Sequence, residues 1–234
     1  MKQHKILLGT LTSHHKDYCL DQWAKYVKSL TYPVDVLVLD NSEDEAHVKK
    51  ITDLGLNAIH YRTERDTIQE IMCDCNNYIR DKVLKENYDF LFSLETDVFS
   101  APNIIENLLL HRKPVVGVPY FIHKHYDSKL ITFDVEEFGD FRLSGSMKPK
   151  QAFKYVDGTV KRAHQLGLGC ILIHRSVLEM IEFRIEDDQT GSHPDSFFHQ
   201  DCLAKGIPVY ADTMEIATHI NTATWLDIYK QQNK

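Results

Sequence analysis

The sequence has 234 residues, of which 43% are hydrophobic and 26% are charged, and its formal net charge is −7. Ten glycines and seven prolines are too few for a fibrous or disordered chain. The acidic balance argues against broad binding to a nucleic-acid backbone or an anionic membrane. No apolar run approaches the roughly 18 residues that cross a bilayer, and the five scattered cysteines favour free thiols in a reducing compartment. We therefore expect one domain over residues 1–234, without a transmembrane segment, in the cytoplasm.

The first half of the chain alternates short apolar runs with segments of helical period. The apolar runs predict five buried strands, at residues 5–9, 34–39, 57–61, 89–94 and 114–118. Between them, apolar residues recur every three or four positions, as from Leu20 to Leu30 and from Ile68 to Val83. Ser100, followed by Pro102, predicts the capped start of a further helix. Strands separated by helices imply right-handed crossovers and a mostly parallel sheet, which is an α/β fold.

The second half is less regular. From about residue 120 to 165, aromatic, histidine and lysine residues mix without a steady period, and loops of this kind on a rigid scaffold usually carry specificity. The positive charges of this region are compatible with a polyanionic ligand, although a solvated basic face is the commoner explanation. They are Lys148, Lys150, Lys154, Lys161 and Arg162. Regular patterns return with strands at 169–173 and 207–210 and helices at 176–181 and around 198–203. Residues 220–234 form a polar tail.

The strongest chemical signal is Glu95-Thr96-Asp97, at the carboxyl end of a predicted buried strand. In open α/β sheets, ligands bind at the carboxyl ends of strands where the topology switches. Two carboxylates two residues apart on such a turn suit Mg²⁺ or Mn²⁺, which can carry diphosphate oxygens. Acidic residues at a strand end also help to cap the next helix, so both interpretations stay open for this segment alone.

Three further residues are candidates for a chemical role, and each of them also has an ordinary structural explanation. Asp40 ends the second strand, where it either accepts hydrogen bonds from a base or ribose or forms an Asx turn. Asp195 precedes a predicted helix, as a general base or as the helix cap. His219 follows the last strand, as a metal ligand or as a packed histidine. The segment Gly167-Leu168-Gly169 permits a close backbone approach, but no lysine follows at the spacing of a phosphate-binding loop.

Taken in order, these segments resemble glycosyltransferases of the GT-A fold, in particular those similar to family 2. The resemblance rests on KILLGTLT, VLVLDNSED, CNNYIRDKVLKENYDFLFSLETDV, HQLGLGCILIHRSVLEMI and PDSFFHQDCLAKGIPVYADTMEIATHI. It runs from about Lys5 to His219 and implies a Rossmann-like α/β/α sandwich with a mostly parallel central sheet. It also implies a metal-dependent, hexosyltransferase-like enzyme. Such an enzyme moves a sugar from a UDP- or GDP-linked donor to an acceptor hydroxyl, with inversion as the family's usual outcome.

The resemblance implies roles for residues that hold the nucleotide. Thr10 and Asp40 correspond to positions of the nucleotide pocket, with Asp40 in contact with the base. Asn76 and Arg80 match an asparagine and an arginine on the helix before the metal-binding strand. These four residues are therefore expected to bind the donor.

The resemblance also implies the catalytic and metal-binding residues. The Asp-x-Asp motif of the family corresponds to Glu95-Thr96-Asp97, with glutamate in place of the first aspartate. Asp97 and His219 match ligands of Mn²⁺ or Mg²⁺, and Glu95 matches a ribose or metal contact. Asp195 matches the aspartate that activates the acceptor, although the residue before it is a proline rather than an acid. Asp201 is the alternative base.

Two other functions stay open. A nucleotidyltransferase shares the α/β core and acidic metal loops, but its Gly-rich basic loop after the first strand is represented here by a single glycine, Gly9. A non-catalytic nucleotide-sugar-binding module with a degenerate site is the second alternative, and Glu95 and Pro194 favour it. The irregular region at 120–165 is the expected acceptor-side insertion. A glycan, a lipid-linked sugar or another hydroxyl acceptor fits, whereas a modified nucleic-acid base is less favoured.

Overall fold

The computed structural model describes residues 3–125, 128–131, 133–135, 156–186 and 193–220. Lys148, Lys150 and Lys154 of the predicted basic face lie outside these residues, as do most of the irregular region and positions 221–234 of the predicted tail. Within the described ranges, no helix combines the length and the apolar composition needed to cross a membrane.

The described residues alternate strands and helices through the first half of the chain, as the sequence predicts. In chain order the elements are β1 (Ile6–Thr12), a 3-10 turn (His14–Lys16), α1 (Asp17–Ser29), β2 (Asp35–Asp40), α2 (Ala46–Asp53), β3 (Ala58–His60), α3 (Ile68–Lys85), β4 (Phe90–Leu94), β5 (Val98–Phe99), α4 (Ile104–Leu110) and β6 (Val115–Gly117). The later elements are β7 (Phe121–His125), β8 (Ser128–Ile131), β9 (Phe133–Val135), β10 (Val160–Leu166), β11 (Cys170–His174), α5 (Arg175–Met180), α6 (Pro194–Ala204), β12 (Val209–Asp212) and β13 (Thr218–His219).

A nine-stranded sheet lies at the centre, in the order β3-β2-β1-β4-β11-β6-β12-β10-β9. Its strand pairings make β10 and β11 antiparallel to their neighbours, so the other seven strands run in one direction. The prediction of a mostly parallel α/β sheet is therefore confirmed. The chain passes from β1 to β2 on one side and reaches β4 on the other, so the topology switches between β1 and β4. Parallel sheets bind ligands at such a point.

Two apolar layers cover the sheet, one on each face. Alternate residues of β1 show the division, since Ile6 and Leu8 pack into one layer and Leu7 into the other. The first layer includes Trp23 of α1 and buried residues of α2 and α4. The second includes Ile79 of α3 and buried residues of α5 and α6. The chain is thus an α/β/α sandwich, which fixes the ends of β1 and β4 between two rigid helical layers.

The structure has strands that the sequence analysis did not predict, namely β5, β7, β8, β9, β10 and β13, and one helix starts later than expected. The helix expected to start at Ser100 begins at Ile104, and the Ser100 hydroxyl donates a hydrogen bond to Glu215 at 2.5 Å instead of capping that helix. The strand β10 lies within the region that shows no steady period. Most of its residues are only partly buried, so its sequence, VKRAHQL, lacks the alternation that would have predicted it.

Candidate active site

A cavity of about 360 Å³ opens at the carboxyl ends of β1 and β4. It is lined by residues of β1 and the following turn, of the loop after β2, of α3, of β4 and the segment after it, and of three later positions: Gly9, Thr10, Leu11, Thr12, Ser13, Lys16, Asn41, Ile68, Met72, Asn76, Ser93, Leu94, Glu95, Thr96, Asp97, Leu168, Asp195 and His219. Aliphatic side chains from α3 and Leu168 form its walls, and carboxylates lie at one end. This is the size and character of a small-molecule site.

A short two-stranded ribbon brings His219 to the acidic segment, although 122 positions separate it from Asp97. β13 pairs antiparallel with β5, with His219 opposite Val98. The backbone N–H of Ile220 donates to the Asp97 carbonyl at 2.7 Å. The Tyr18 hydroxyl of α1 donates to the Ile220 carbonyl at 2.8 Å, which holds the ribbon against the first helix. The position of His219 is therefore fixed by backbone pairing.

One oxygen of the buried Asp97 carboxylate receives most of its contacts. Nε2 of His219 lies 3.2 Å from Asp97 Oδ2, and the Lys16 ammonium forms a short ion pair with the same atom. Asp97 Oδ1 and His219 Nδ1 are both buried and have no hydrogen-bond partner among the described residues. Buried polar atoms are almost always satisfied in proteins. Two unsatisfied atoms on neighbouring side chains therefore indicate room for a ligand.

The pKa values of the two carboxyl groups at this end of the cavity are shifted in opposite directions. Burial and the charge of Asp97 raise the pKa of Glu95 to about 7. Burial also acts to raise the pKa of Asp97, but the hydrogen bond from His219 and the charges of His219 and Lys16 outweigh it and lower that pKa. The pKa of His219 is raised, because Asp97 and Glu95 offset the effect of its burial. Asp97 is thus the stronger acid of the two carboxyl groups, and Glu95 is the weaker acid.

The residues present fit a divalent cation. Glu95, Asp97 and His219 each offer one ligand atom, and these atoms lie within 4.8 Å of one another. Carboxylate oxygen and imidazole nitrogen suit Mn²⁺, and the oxygens also suit Mg²⁺. The fit rests on the donor set together with the unsatisfied atoms of Asp97 and His219.

Asp195 lines the cavity from the start of α6. Pro194 occupies the first turn of that helix and His193 is its N-terminal flanking residue, so Asp195 is not the cap. Its Oδ1 accepts a hydrogen bond from the Ser196 N–H at 2.8 Å. Its negative charge contributes to the raised pKa of Glu95, after burial and the other charges. Asp195 therefore faces the same volume as the candidate metal ligands.

The remaining predicted residues divide between the cavity and its surroundings. Thr10 and Asn76 are buried and line the cavity. Asp40 is fully buried behind it, where its Oδ1 accepts from the Ser42 hydroxyl at 2.7 Å and lies 2.8 Å from His47 Nδ1. Its neighbour Asn41 lines the cavity instead.

Two predicted residues are bound elsewhere. Nε of Arg80 donates to the Leu178 and Ile181 carbonyls, both at 2.9 Å, so this guanidinium joins α3 to the end of α5. Asp201 forms a two-pronged pair with Arg184, at 2.8 and 3.0 Å. Neither lines the cavity among the residues described there.

Lys16 and Tyr120 belong to the site, although the sequence reasoning did not select them. Lys16 follows β1 in a turn with two histidines, and only its contact with Asp97 distinguishes it. Tyr120 is buried, and its ring meets the His219 ring edge-on at 5.4 Å. Its hydroxyl accepts a hydrogen bond from the Gly169 N–H at 3.2 Å. A Cβ on Gly169 would lie 2.7 Å from that hydroxyl, so the glycine pair at 167 and 169 makes space for this tyrosine.

The comparisons with known proteins bear on the fold. The sequence matches no protein-family profile and no curated protein. Among solved structures, the chain is similar to S. aureus TarS 1-349, with a TM-score of 0.57, 12% identity, and coverage of 92% of this chain and 60% of that one. The complex of TarS 1-349 with UDP gives a TM-score of 0.56, 10% identity and the same coverage.

Two further structures are matched over most of their length. The CMP:2-keto-3-deoxy-manno-octonic acid synthetase complexed with CTP gives a TM-score of 0.53 at 12% identity, with coverage of 97% of this chain and 98% of that one. A197 from STIV gives 0.53 at 15% identity, with coverage of 94% and 87%. These similarities define the fold. The chain has a GT-A-like, Rossmann-like α/β/α fold, as the sequence predicts.

Proposed function

We propose that the protein is a metal-dependent glycosyltransferase that uses a nucleoside-diphosphate sugar. The observation that carries the proposal is the trio Glu95, Asp97 and His219, with ligand atoms within 4.8 Å of one another in a cavity at the topological switch point. The UDP complex of the similarly folded TarS 1-349 supports a nucleotide in this kind of cavity. UDP- and GDP-linked sugars are the donors to test first.

Each side chain of the trio has a distinct task in this proposal. Asp97 and His219 hold Mn²⁺ or Mg²⁺, and Glu95 completes the ligand set or contacts the ribose. The bound ion would stabilise the charge that develops on the diphosphate leaving group. Thr10 and Asn76 contact the nucleoside end, with Asn41 beside them. The donor would then lie with its diphosphate at the acidic end of the cavity.

Asp195 is the proposed general base. It lines the cavity from the first turn of α6, so its carboxylate is available to an acceptor hydroxyl that enters the cavity. General-base catalysis of this kind typically contributes about 10²–10⁴-fold. Transfer assisted in this way would invert the anomeric centre.

Asp40 and Arg80 support the donor pocket in this proposal. Asp40 organises the loop after β2 through Ser42, whose hydroxyl accepts from the His14 N–H at 2.8 Å. That bond ties the loop to the turn that carries Lys16. Arg80 fixes α3, which carries Asn76, by its two bonds to carbonyl groups. Their removal should weaken donor binding indirectly.

Release of UDP or GDP from a panel of nucleotide sugars in the presence of Mn²⁺ tests the proposal. We expect the wild type to release one of the two nucleotides and Asp97→Asn to lose that release. The matched control is Asp212→Asn, because Asp212 is also a buried carboxylate paired with a histidine, His111, at 2.7 Å. If no donor is bound or turned over in the presence of metal, the glycosyltransferase proposal is wrong.

A second pair of variants tests the base. Asp195→Asn should lower transfer to an added acceptor by at least about 10²-fold, as expected for loss of a general base. Asp201→Asn should leave it unchanged, because Asp201 is engaged by Arg184 outside the cavity. The reverse result would move the base to Asp201.

A nucleotidyltransferase is the second candidate, and a specific observation favours it. Lys16, on the turn after β1, reaches into the cavity, as a basic residue of a nucleotide-triphosphate loop would. The matched structure with CTP bound is also similar over 98% of its length. Release of pyrophosphate from a nucleoside triphosphate and a sugar acid or sugar phosphate would support this candidate. Release of UDP or GDP from a nucleotide sugar would support the first.

A further inference from the structure

Lys16 places a positive charge next to the carboxylate that a bound cation would also contact. Its ammonium is paired with Oδ2 of Asp97, the carboxylate that we propose as a metal ligand. The lysine side chain keeps about a third of its surface exposed, at 36%, whereas the Asp97 side chain keeps 1%. The carboxylate is therefore fixed in place, and the lysine on its flexible stem is the partner that can move.

Lys16 is also the source of fixed positive charge nearest to the cavity. Among the residues described around it, Lys16 is the single lysine or arginine. The basic side chain predicted to help, Arg80, lies further along α3, where it is bound to the carbonyl groups of Leu178 and Ile181. A diphosphate in this cavity would therefore find one ammonium within it.

We propose that Lys16 alternates between two partners, pairing with Asp97 in the metal-free protein and with the diphosphate of the donor once a divalent cation occupies the trio. The inference rests on the proposed function, because it assumes both the cation and the diphosphate. The reason is like-charge repulsion, since a divalent ion held by Asp97 would share that carboxylate with the ammonium. Phosphate oxygens are the natural second partner, because charge-assisted hydrogen bonds are the strong ones.

The two pairings of Lys16 predict that removal of its charge has opposite effects on the binding of Mn²⁺ and of the nucleotide. Removal of the lysine charge removes the competitor of the cation, so Mn²⁺ alone should bind more tightly. The same change removes a partner of the diphosphate, so nucleotide should bind less tightly when Mn²⁺ is saturating. A lysine that merely supports the fold would weaken both.

The experiment uses Lys16→Gln, which retains a hydrogen-bond donor for Asp97, and Lys16→Met, which removes it. Binding of Mn²⁺ alone is measured by electron paramagnetic resonance. Binding of UDP, GDP and the matching nucleosides, with Mn²⁺ saturating, is measured by calorimetry. Lys50→Met is the matched control, since Lys50 pairs with Asp17 outside the cavity.

We expect both variants to bind Mn²⁺ several-fold more tightly than the wild type. We also expect them to bind the nucleoside diphosphate about ten-fold or more weakly, the effect of one hydrogen bond between charged groups. Affinity for the nucleoside, which lacks phosphates, should not change. Lys16→Arg should retain most of the diphosphate affinity.

Unchanged or weaker Mn²⁺ binding in Lys16→Gln would overturn the inference, as would unchanged binding of UDP and GDP. Either result leaves the proposed function intact if the wild type still turns over a donor. If the wild type binds Mn²⁺ but neither diphosphate, the proposed function fails. In that case, tighter Mn²⁺ binding by Lys16→Gln would still support displacement of the lysine by the cation.

Discussion

Replacement of Gly167 by alanine tests how closely the segment before β11 is fitted to Tyr120. A Cβ at this position would lie 2.6 Å from Cζ and 3.1 Å from Cε1 of Tyr120, and closer still to the hydroxyl oxygen. The tyrosine is buried, and its backbone is held by a bridge to Ala217, so it cannot simply swing aside. Overpacking of this kind costs about 1–3 kcal/mol. For a chain of this size, that lowers the unfolding temperature by about 2–12 °C.

The same change should reach the candidate metal site. The Tyr120 ring meets His219 edge-on, so its displacement moves a proposed ligand. Disturbance of groups that orient metal ligands typically costs about 10–100-fold in metal affinity. We therefore expect Gly167→Ala to lower both the unfolding temperature, measured by circular dichroism, and the affinity for Mn²⁺.

A second substitution shows whether the clash is the cause. In the Tyr120→Leu background, all three crowded atoms are gone, so adding Gly167→Ala should cost almost nothing further. The control is Gly206→Ala, which meets no atom within 4 Å but has a φ of 67°. Its cost is backbone strain, and Tyr120→Leu should not relieve it. A Gly167→Ala variant as stable as the wild type would refute the reasoning.

Two further predictions concern titratable side chains outside the cavity lining. Burial lowers the pKa of His199, whose Nδ1–H donates to the Asp195 carbonyl at 2.7 Å and whose Nε2 accepts from the Leu166 N–H at 3.3 Å. The stability contributed by this neutral ring is complete above the ordinary histidine pKa of about 6.5 and is lost as pH falls from there to the lowered folded-state pKa. Between pH 7.5 and 5.5, taken as approximate limits around that value, the wild type should therefore lose more stability than His199→Gln in denaturant titrations. Four of the five cysteines are buried and Cys73 is partly exposed, so mass spectrometry after brief alkylation of the native protein should find Cys73 modified first. Equal labelling of all five would contradict this.

Much of the fold follows from local patterns in the sequence. The apolar runs before Thr10, Asp40 and Glu95 predict the strands of the parallel half of the sheet, because strands buried on both faces read as continuous apolar segments. The period-3.6 pattern from Ile68 likewise predicts α3. The strand β10 could not be found in this way, since it lies near the sheet edge and is only partly buried. The first and last residues of a helix are also harder to predict than the presence of the helix, as the later start of α4 shows.

Residues of the candidate site could be predicted where a carboxylate directly follows the end of a predicted strand. Asp97 meets that condition and lines the cavity, whereas Asp195, which also lines it, lies at the start of α6 and was selected through the family resemblance. Lys16 does not meet the condition, because nothing in the sequence tells which lysine will face a carboxylate 81 positions away. Tyr120 could not be predicted for a similar reason, since the position of its side chain depends on two glycines in another segment. Asp40 shows the reverse case, in which a polar residue at a strand end turns inward to organise its own loop.

The balance of charge in the cavity bears on the order in which ligands would bind. Asp97 and Asp195 face one lysine and one histidine, whose charges offset theirs, and Glu95 is only partly ionised at neutral pH because burial and Asp97 raise its pKa to about 7. Without an ion, the cavity therefore offers a diphosphate little net positive charge. A divalent cation would add positive charge locally, although the whole chain keeps its net charge of −7. The proposed glycosyltransferase should therefore bind the cation first or together with the donor. The acidic composition, which argues against nucleic acid as a ligand, is for that reason compatible with an anionic small molecule in this cavity.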